Sequence, residues 1–309
     1  GSNNFWRNKR MGNTAFLMPG QGSQYVGMLG KLDAYPKAQQ IISKVNGILG
    51  FDLVKLMKEG PIEELTQTEN TQPALVACSA AWLEIAKEKG LSCQFALGHS
   101  LGEYSALYAA EAIDLETALR LVRRRGELMR DATSKIPGTM GAIIGLPAEK
   151  VKEICQEASK IGVCEMANFN SSGQIVVSGE VEAVKRAMEL AKEAKARLAR
   201  LLQVSAPFHS SMMDPVAELF AKDLQAANIS DAKFPVVANV NAKPVQKTSE
   251  IRENLTKQIN SPVLWEKSIL QVVAMGVDNF VEVGAKNVLT GLNGQIVPNL
   301  TTSNTEAMF

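Results

Sequence analysis

Histidine is scarce in this 309-residue chain, which has only His99 and His209. Its four cysteines, Cys78, Cys93, Cys155 and Cys164, are scattered without CxxC spacing, so no familiar metal-ligand cluster can be assembled from them. Reduced thiols in a cytoplasmic protein are the simplest reading. Net charge is equally slight: 33 basic against 32 acidic side chains leave +1, too little to point to nucleic acid or to an anionic membrane surface. No apolar run approaches the roughly 20 residues of a spanning helix, and the first residues lack the apolar stretch of a secretion signal. Gly1 to Arg10, ahead of Met11, are set aside from the fold reading. What remains is ordinary globular composition, 46% hydrophobic and 21% charged, long enough for one large core or one core plus a smaller insert.

The apolar run Thr14–Met18 empties into Pro19-Gly20-Gln21-Gly22-Ser23-Gln24, which reads as a buried strand followed by a glycine loop. Gln72-Pro73 opens an alanine-rich helix through about Lys89, with Pro73 expected in the first turn, where its missing N–H costs little. Cys93 to Leu97 is strand-like, then come Gly98-His99-Ser100-Leu101-Gly102 and a helix from Glu103 to Ala112. Residues 139–204 have their own rhythm: strand, helix after Pro147, two strands, helix Val181–Lys195, strand Arg197–Val204. That βαββαβ order predicts a small ferredoxin-like domain, residues 139–205, inserted into a larger α/β domain of residues 11–138 and 206–309 with a parallel central sheet. Val236–Val240 and Asn279–Val283 are its remaining expected strands, the second ending at Gly284.

Ser100 stands in Gly-x-Ser-x-Gly between an expected strand and helix, the context of a nucleophile elbow. A serine in an ordinary turn is the bland alternative. A serine hydroxyl needs a nearby base. His99 adjoins Ser100, and its ring is expected to project away from that hydroxyl, which leaves His209, on the proline-fixed loop after Val204-Ser205-Ala206-Pro207-Phe208. A satisfied structural histidine is the competing reading. Spacing identifies no acidic third member; Asp214 is near in sequence, but nothing fixes its direction. Charge on an attacked carbonyl oxygen needs donors: the Leu101 N–H follows the nucleophile, and the Gln21 N–H in the glycine turn is the best second candidate. On the helix beginning at Asp114, Ala118, Val122, Arg125 and Met129 share one apolar face, so Arg125 is expected to be core-facing while Arg123 and Arg124 are solvated. A buried guanidinium needs acceptors, from an internal acid or from a substrate.

Together these pieces resemble the malonyl-CoA:acyl carrier protein transacylase family, found also as acyltransferase domains of fatty acid and polyketide synthases. The resemblance runs from about Thr14 to about Gly291 and includes Asn168 to Asn170, Gln174, Ser178-Gly179, Pro207-Phe208-His209-Ser210 and Gln258 before Ser261-Pro262-Val263. It implies an α/β-hydrolase-like large domain with Ser100 as the acylated serine and His209 as general acid/base. It further implies that the Gln258 carbonyl orients His209, that Gln21 and Leu101 are oxyanion donors, and that Arg125 pairs with the malonate carboxylate. Met129, His99 and Asn170 would line the substrate site, and Phe208 matches members that prefer malonyl over methylmalonyl units. The implied reaction is ping-pong transfer of malonyl from coenzyme A to the phosphopantetheine arm of a carrier protein by a monomer with no permanently bound cofactor. An acyl hydrolase using the same elbow is the alternative. Lys192, Lys195, Arg197 and Arg200 are a candidate docking surface for an acidic carrier.

Overall fold

The computed structural model describes residues 13–309; Gly1–Arg10, set aside above, lie outside the described residues. The described residues form ten strands: β1 Asn13–Met18, β2 Phe95–Gly98, β3 Thr139–Ile144, β4 Cys164–Ser171, β5 Gln174–Gly179, β6 Leu198–Leu201, β7 Val236–Val237, β8 Pro244–Val245, β9 Val277–Glu282 and β10 Thr301–Asn304. They form two sheets, a six-stranded one in the order β10-β9-β1-β2-β7-β8 and a four-stranded one in the order β4-β5-β3-β6. The larger sheet is parallel except where β8 folds back antiparallel onto β7, so it is mixed. The smaller is antiparallel throughout.

Side-chain alternation along β1 explains why it is central. Phe16 and Met18 enter one hydrophobic core and Ala15 and Leu17 the other, so both faces of the sheet are covered. In the smaller sheet Ile143, Ile175, Val177 and Ala199 pack on helices Ala148–Ala158 and Val181–Glu193, while Met140, Ala167 and Val176 face the other way. Phe208 packs against this second face and against the main core, at the seam between the sheets. The seam is stitched by backbone bonds: Phe169 N–H donates to the Val263 carbonyl at 2.9 Å, and Val263 N–H to that of Ala167 at 2.8 Å.

Several expectations differ from the structure, among them the last strand of the smaller sheet, which spans Leu198–Leu201 rather than residues 197–204. β7 is two residues long, because the Asn239 N–H is taken by the Glu103 carboxylate and the Asn239 carbonyl by Leu264 N–H, which ends the ladder. β10 was not foreseen, since Thr-Thr-Ser-Asn at a sheet edge carries no apolar pattern. The alanine-rich helix starts at Thr68, one turn early, and places Pro73 inside it.

An internal proline leaves the carbonyl four residues back without its helical donor. Here that carbonyl, of Glu69, accepts from Arg123 Nη1 at 2.7 Å, and Asn70 Oδ1 accepts from the same nitrogen at 2.8 Å. The guanidinium also lies over the Phe51 ring, 4.4 Å from its centroid. Arg123 is therefore a structural bridge between two helices rather than the solvated residue expected, whereas Arg124 is exposed and pairs with Asp223. Arg123→Met is expected to lower the unfolding free energy by about 1–3 kcal/mol. Arg124→Met should change it by less than about 1 kcal/mol. Urea denaturation of both variants checks this; equal effects would mean that the Glu69 carbonyl does not depend on Arg123.

Candidate active site

The chain leaves β2 at Gly98 and turns into helix Gly102–Ala109 within three residues. Both glycines are demanded by contact: a Cβ on Gly98 would lie 1.9 Å from the Gly102 carbonyl, and one on Gly102 2.1 Å from the Met18 oxygen. Between them Ser100 adopts φ 51°, a left-handed conformation that non-glycine residues rarely hold. Gly20 is as constrained, since a Cβ there would meet the His99 carbonyl oxygen at 2.4 Å, and its turn therefore abuts the elbow.

Ser100 Oγ lies 2.8 Å from His209 Nε2. On the far side of the ring, Nδ1 is 3.0 Å from the Gln258 carbonyl and 3.2 Å from that of Ser261. Carbonyls only accept, so Nδ1 carries the proton and Nε2 presents its lone pair to the serine. Asp214 has no part in this, since its carboxylate accepts from Asn260 Nδ2 at 2.8 Å. His99 turns away from Ser100, bonds Asn170 Oδ1 through Nε2 at 2.7 Å and tilts against Trp265.

Arg125 reaches the same point from helix Leu115–Lys135. It is 2% exposed, and Gly126 beside it lets the helix approach Thr68–Glu88 closely: a Cβ on Gly126 would lie 2.6 Å from Glu69 Cα. Arg125 Nη1 donates to Gln72 Oε1 at 2.8 Å, while Nη2 donates to Gln258 Oε1 at 3.1 Å and to Ser100 Oγ at 3.2 Å. Because Oγ accepts from Arg125, its one proton is free to point at His209. Met129 holds the far end of Gln72, whose Nε2 lies 3.3 Å from its sulfur. Among the described residues no carboxylate forms an ion pair with Arg125, and Arg125 Nε has no partner.

The backbone of the turn is nearly saturated. His99 N–H donates to Met18, Ser100 N–H to Asn239 Oδ1, Gly102 N–H to His99, Glu103 N–H to Ser100 and Tyr104 N–H to Leu101. Among the described residues the Leu101 N–H donates to no protein group, and neither does the Gln21 N–H. Two residues in this network escape a reading of the sequence. Gln72 sits in an apolar helix and Asn239 in what looks like a buried strand; the one available signal was a polar residue inside an otherwise apolar run.

A cleft of about 360 Å³ opens beside the turn, lined by Gln21, His99, Asn168, Asn170, Gln174 and Gln295 among others. Helix Val288–Ile296 forms one wall. Its N-terminus is held by the buried Glu282 carboxylate, which accepts from the Leu289 and Thr290 N–H groups. The described residues contain no group of three or more His, Cys, Asp or Glu placed to hold a metal, and no helix long and apolar enough to cross a membrane.

Burial and the neighbouring Arg125 charge lower the His209 pKa to about 3, against the two carbonyls that raise it. Burial pushes the Glu103 carboxyl up to about 7, opposed by the Asn239 N–H and by Arg125. For His209 the unfolded chain titrates near 6.5. Below that pH it takes a proton that the folded ring refuses, so stability is full above about pH 6.5 and falls toward pH 3. Removing the imidazole should reduce this loss: the stability difference between pH 7 and pH 4 is expected to be smaller in His209→Gln than in the parent, by chemical denaturation. An equal difference would mean that the ring titrates normally.

The sequence matches a family model described as "Acyl transferase domain" over residues 15–298. It is 45% identical over 284 residues to a malonyl CoA-acyl carrier protein transacylase of Bacillus subtilis, covering 91% of this chain and 90% of that one. A protein of the same name from Escherichia coli is 43% identical over 291 residues, 94% of each. Among solved structures, an acyl carrier protein S-malonyltransferase of Vibrio cholerae superposes with a TM-score of 0.91 at 41% identity, covering 94% of this chain and 96% of that one. A malonyl-transacylase in complex with a type II polyketide synthase acyl carrier protein gives the same score and identity, with 94% and 95% covered. With a family match across nearly the whole chain and relatives above 40% identity end to end, this chain belongs to the acyl transferase domain family.

Proposed function

We propose that this chain transfers a malonyl group from malonyl-CoA to the phosphopantetheine thiol of an acyl carrier protein, through a malonyl ester on Ser100. The observation that carries the reading is Arg125, a buried guanidinium 3.2 Å from Ser100 Oγ whose polar partners are neutral amides and a hydroxyl. A cation in that setting is costly unless an anion arrives to pair with it. Malonyl thioesters bring a carboxylate two bonds from the carbonyl to be attacked, and Arg125 can receive it bidentately. Neutral acyl groups, the substrates of an editing hydrolase, have no use for this cation.

In this scheme His209 Nε2 takes the Ser100 proton as Oγ attacks the thioester carbonyl. The tetrahedral oxyanion is received by the Leu101 and Gln21 N–H groups, which have no other work. Collapse breaks the C–S bond, and the departing coenzyme A thiolate takes the proton from His209. The carrier thiol then gives its proton to the same nitrogen and attacks the ester carbonyl; the C–Oγ bond breaks, Oγ takes that proton back from His209, and the malonyl group stays on the carrier sulfur. Both substrates bring their own sulfur chemistry, so no resident cofactor enters, and one copy of the chain supplies every group. The amide-lined cleft, with Asn168, Asn170, Gln174 and Gln295, suits the amides of a pantetheine arm, and His99 with Asn170 forms its inner wall. Phe208 at the seam and Met129 behind Gln72 are read as limits on acyl size.

The larger mixed sheet with its elbow reads as hydrolase-like. The order β4-β5-β3-β6 of a βαββαβ unit, residues 139–205 inserted between residues 11–138 and 206–309, supports a ferredoxin-like small domain. Exposed Lys192, Lys195, Arg197 and Arg200 on it are the proposed carrier-docking side. Four free cysteines fit a cytoplasmic setting.

Intact-protein mass spectrometry tests the scheme. Mixing with malonyl-CoA should add one malonyl mass that moves to a phosphopantetheinylated carrier; Ser100→Ala should gain none, and a gain that decays without loading the carrier would establish the hydrolase instead. Arg125→Ala should lower kcat/KM for malonyl-CoA by roughly 30- to 5,000-fold, the loss of one partner of a buried charge pair, with acetyl-CoA much less affected. Equal losses for both donors would remove the carboxylate role of Arg125.

A further inference from the structure

Asn239 follows β7 and is 1% exposed, and each of its polar groups is engaged. Its Oδ1 accepts from Ser100 N–H at 2.8 Å and from Gln258 Nε2 at 3.2 Å, and its Nδ2 donates to the Gly98 carbonyl at 2.7 Å. Its own N–H donates to Glu103 Oε1 at 2.6 Å, and its carbonyl accepts from Leu264 N–H at 3.0 Å. One side-chain amide thus spans the nucleophile's turn from the residue two before Ser100 to Ser100 itself. Through Gln258 and Leu264 it also grips the segment whose carbonyls hold His209.

We propose that Asn239 is a positioning residue for acyl transfer: its amide fixes the left-handed turn at Ser100, so that Oγ meets His209 while the Leu101 N–H is left as the unpaired donor. The inference rests on the proposed function and extends it to a residue that touches no substrate. The amide chemistry is specific. Ser100 N–H requires an acceptor and the Gly98 carbonyl a donor, and among side chains of this length only an amide, or a protonated carboxyl, presents both at once. Alanine would leave two buried backbone groups of a strained turn unpaired. A carboxylate would satisfy Ser100 N–H but set an oxygen against the Gly98 oxygen.

That last difference supplies the test. In Asn239→Asp the buried carboxyl reproduces the amide pattern only when protonated, so activity relative to the parent should recover as pH falls. The charged and titratable groups facing this position are Glu103 on helix Gly102–Ala109, Arg125 through Gln258, and His209 beyond Gln258. All three are present in both proteins, but Glu103, pushed up to about 7 by burial, couples to a carboxyl at position 239, so the recovery is read as the titration of that pair. Two rates are measured from pH 8.5 to 5.5: malonyl transfer, and labelling of Ser100 by a fluorophosphonate, which reads the turn without any acyl substrate. The expected result is a kcat at least 100-fold below the parent at pH 8.5, a malonyl-CoA KM within about threefold, and a variant-to-parent ratio that rises at least tenfold toward pH 5.5 in both assays. A ratio flat with pH, or a kcat within threefold of the parent at pH 8.5, overturns the proposal. A parent that is labelled by the phosphonate but does not transfer malonyl would sink the proposed function while the labelling ratio still decides the role of Asn239. Asn239→Ala, if it folds, should show the kcat loss without the pH recovery; recovery there would also count against the proposal.

Discussion

The turn at Ser100 is the constraint to which the rest of the centre is fitted. A non-glycine residue at φ 51° costs on the order of 1–3 kcal/mol and persists only where its surroundings over-determine it. Here they do: Gly98 and Gly102 touch, Gly102 rests on the Met18 carbonyl, and Gly20 rests on His99. No side chain fits at any of these three positions, so β1, β2 and the Gly20 loop are locked at one spacing. His209 is likewise left-handed, at φ 56°, with its Nδ1 donating to two carbonyls on one side of the ring. Ser100 and His209 therefore both sit on left-handed backbone braced by the contacts and hydrogen bonds around it.

The two sheets meet in a similarly rigid manner. Backbone bonds between β4 and Val263 cross the seam, and Asn170 at the end of β4 holds His99 at the elbow. The cleft's polar lining is made of amide side chains and His99, while the Arg125 guanidinium lies outside that lining, at Ser100 Oγ.

Much of this was legible in the sequence because the decisive residues break local patterns. Gly-x-Ser-x-Gly between apolar strand and helix announced a turn that needs glycines, and an arginine on an apolar stripe announced a buried cation. The strand-helix order of residues 139–204 was readable because each element there has its own apolar period. What was not legible depends on partners far apart in the chain. Arg123 looked solvated because the carbonyl it satisfies, that of Glu69, was exposed by a proline on another helix, 50 residues earlier (residue 73 to residue 123). Asn239 was hidden inside an apolar run, and its meaning appears only when Ser100 and Gly98 are brought to it. β10 had no apolar signal, since an edge strand of Thr, Thr, Ser and Asn is defined by its neighbour β9.

Next to burial, the Arg125 charge depresses the basicity of His209, and in the proposed function the same guanidinium receives a carboxylate. An anion that pairs with the guanidinium cancels part of that field, so the imidazole becomes a stronger proton acceptor when such a substrate is seated. Thermodynamic reciprocity then requires the converse: a protonated His209, the state the proposed reaction forms as the serine attacks, would hold the anion more tightly than the neutral ring does. Under the proposed function, selection of the acyl group and activation of the nucleophile would thereby be two readings of one coupling free energy, carried by a single guanidinium.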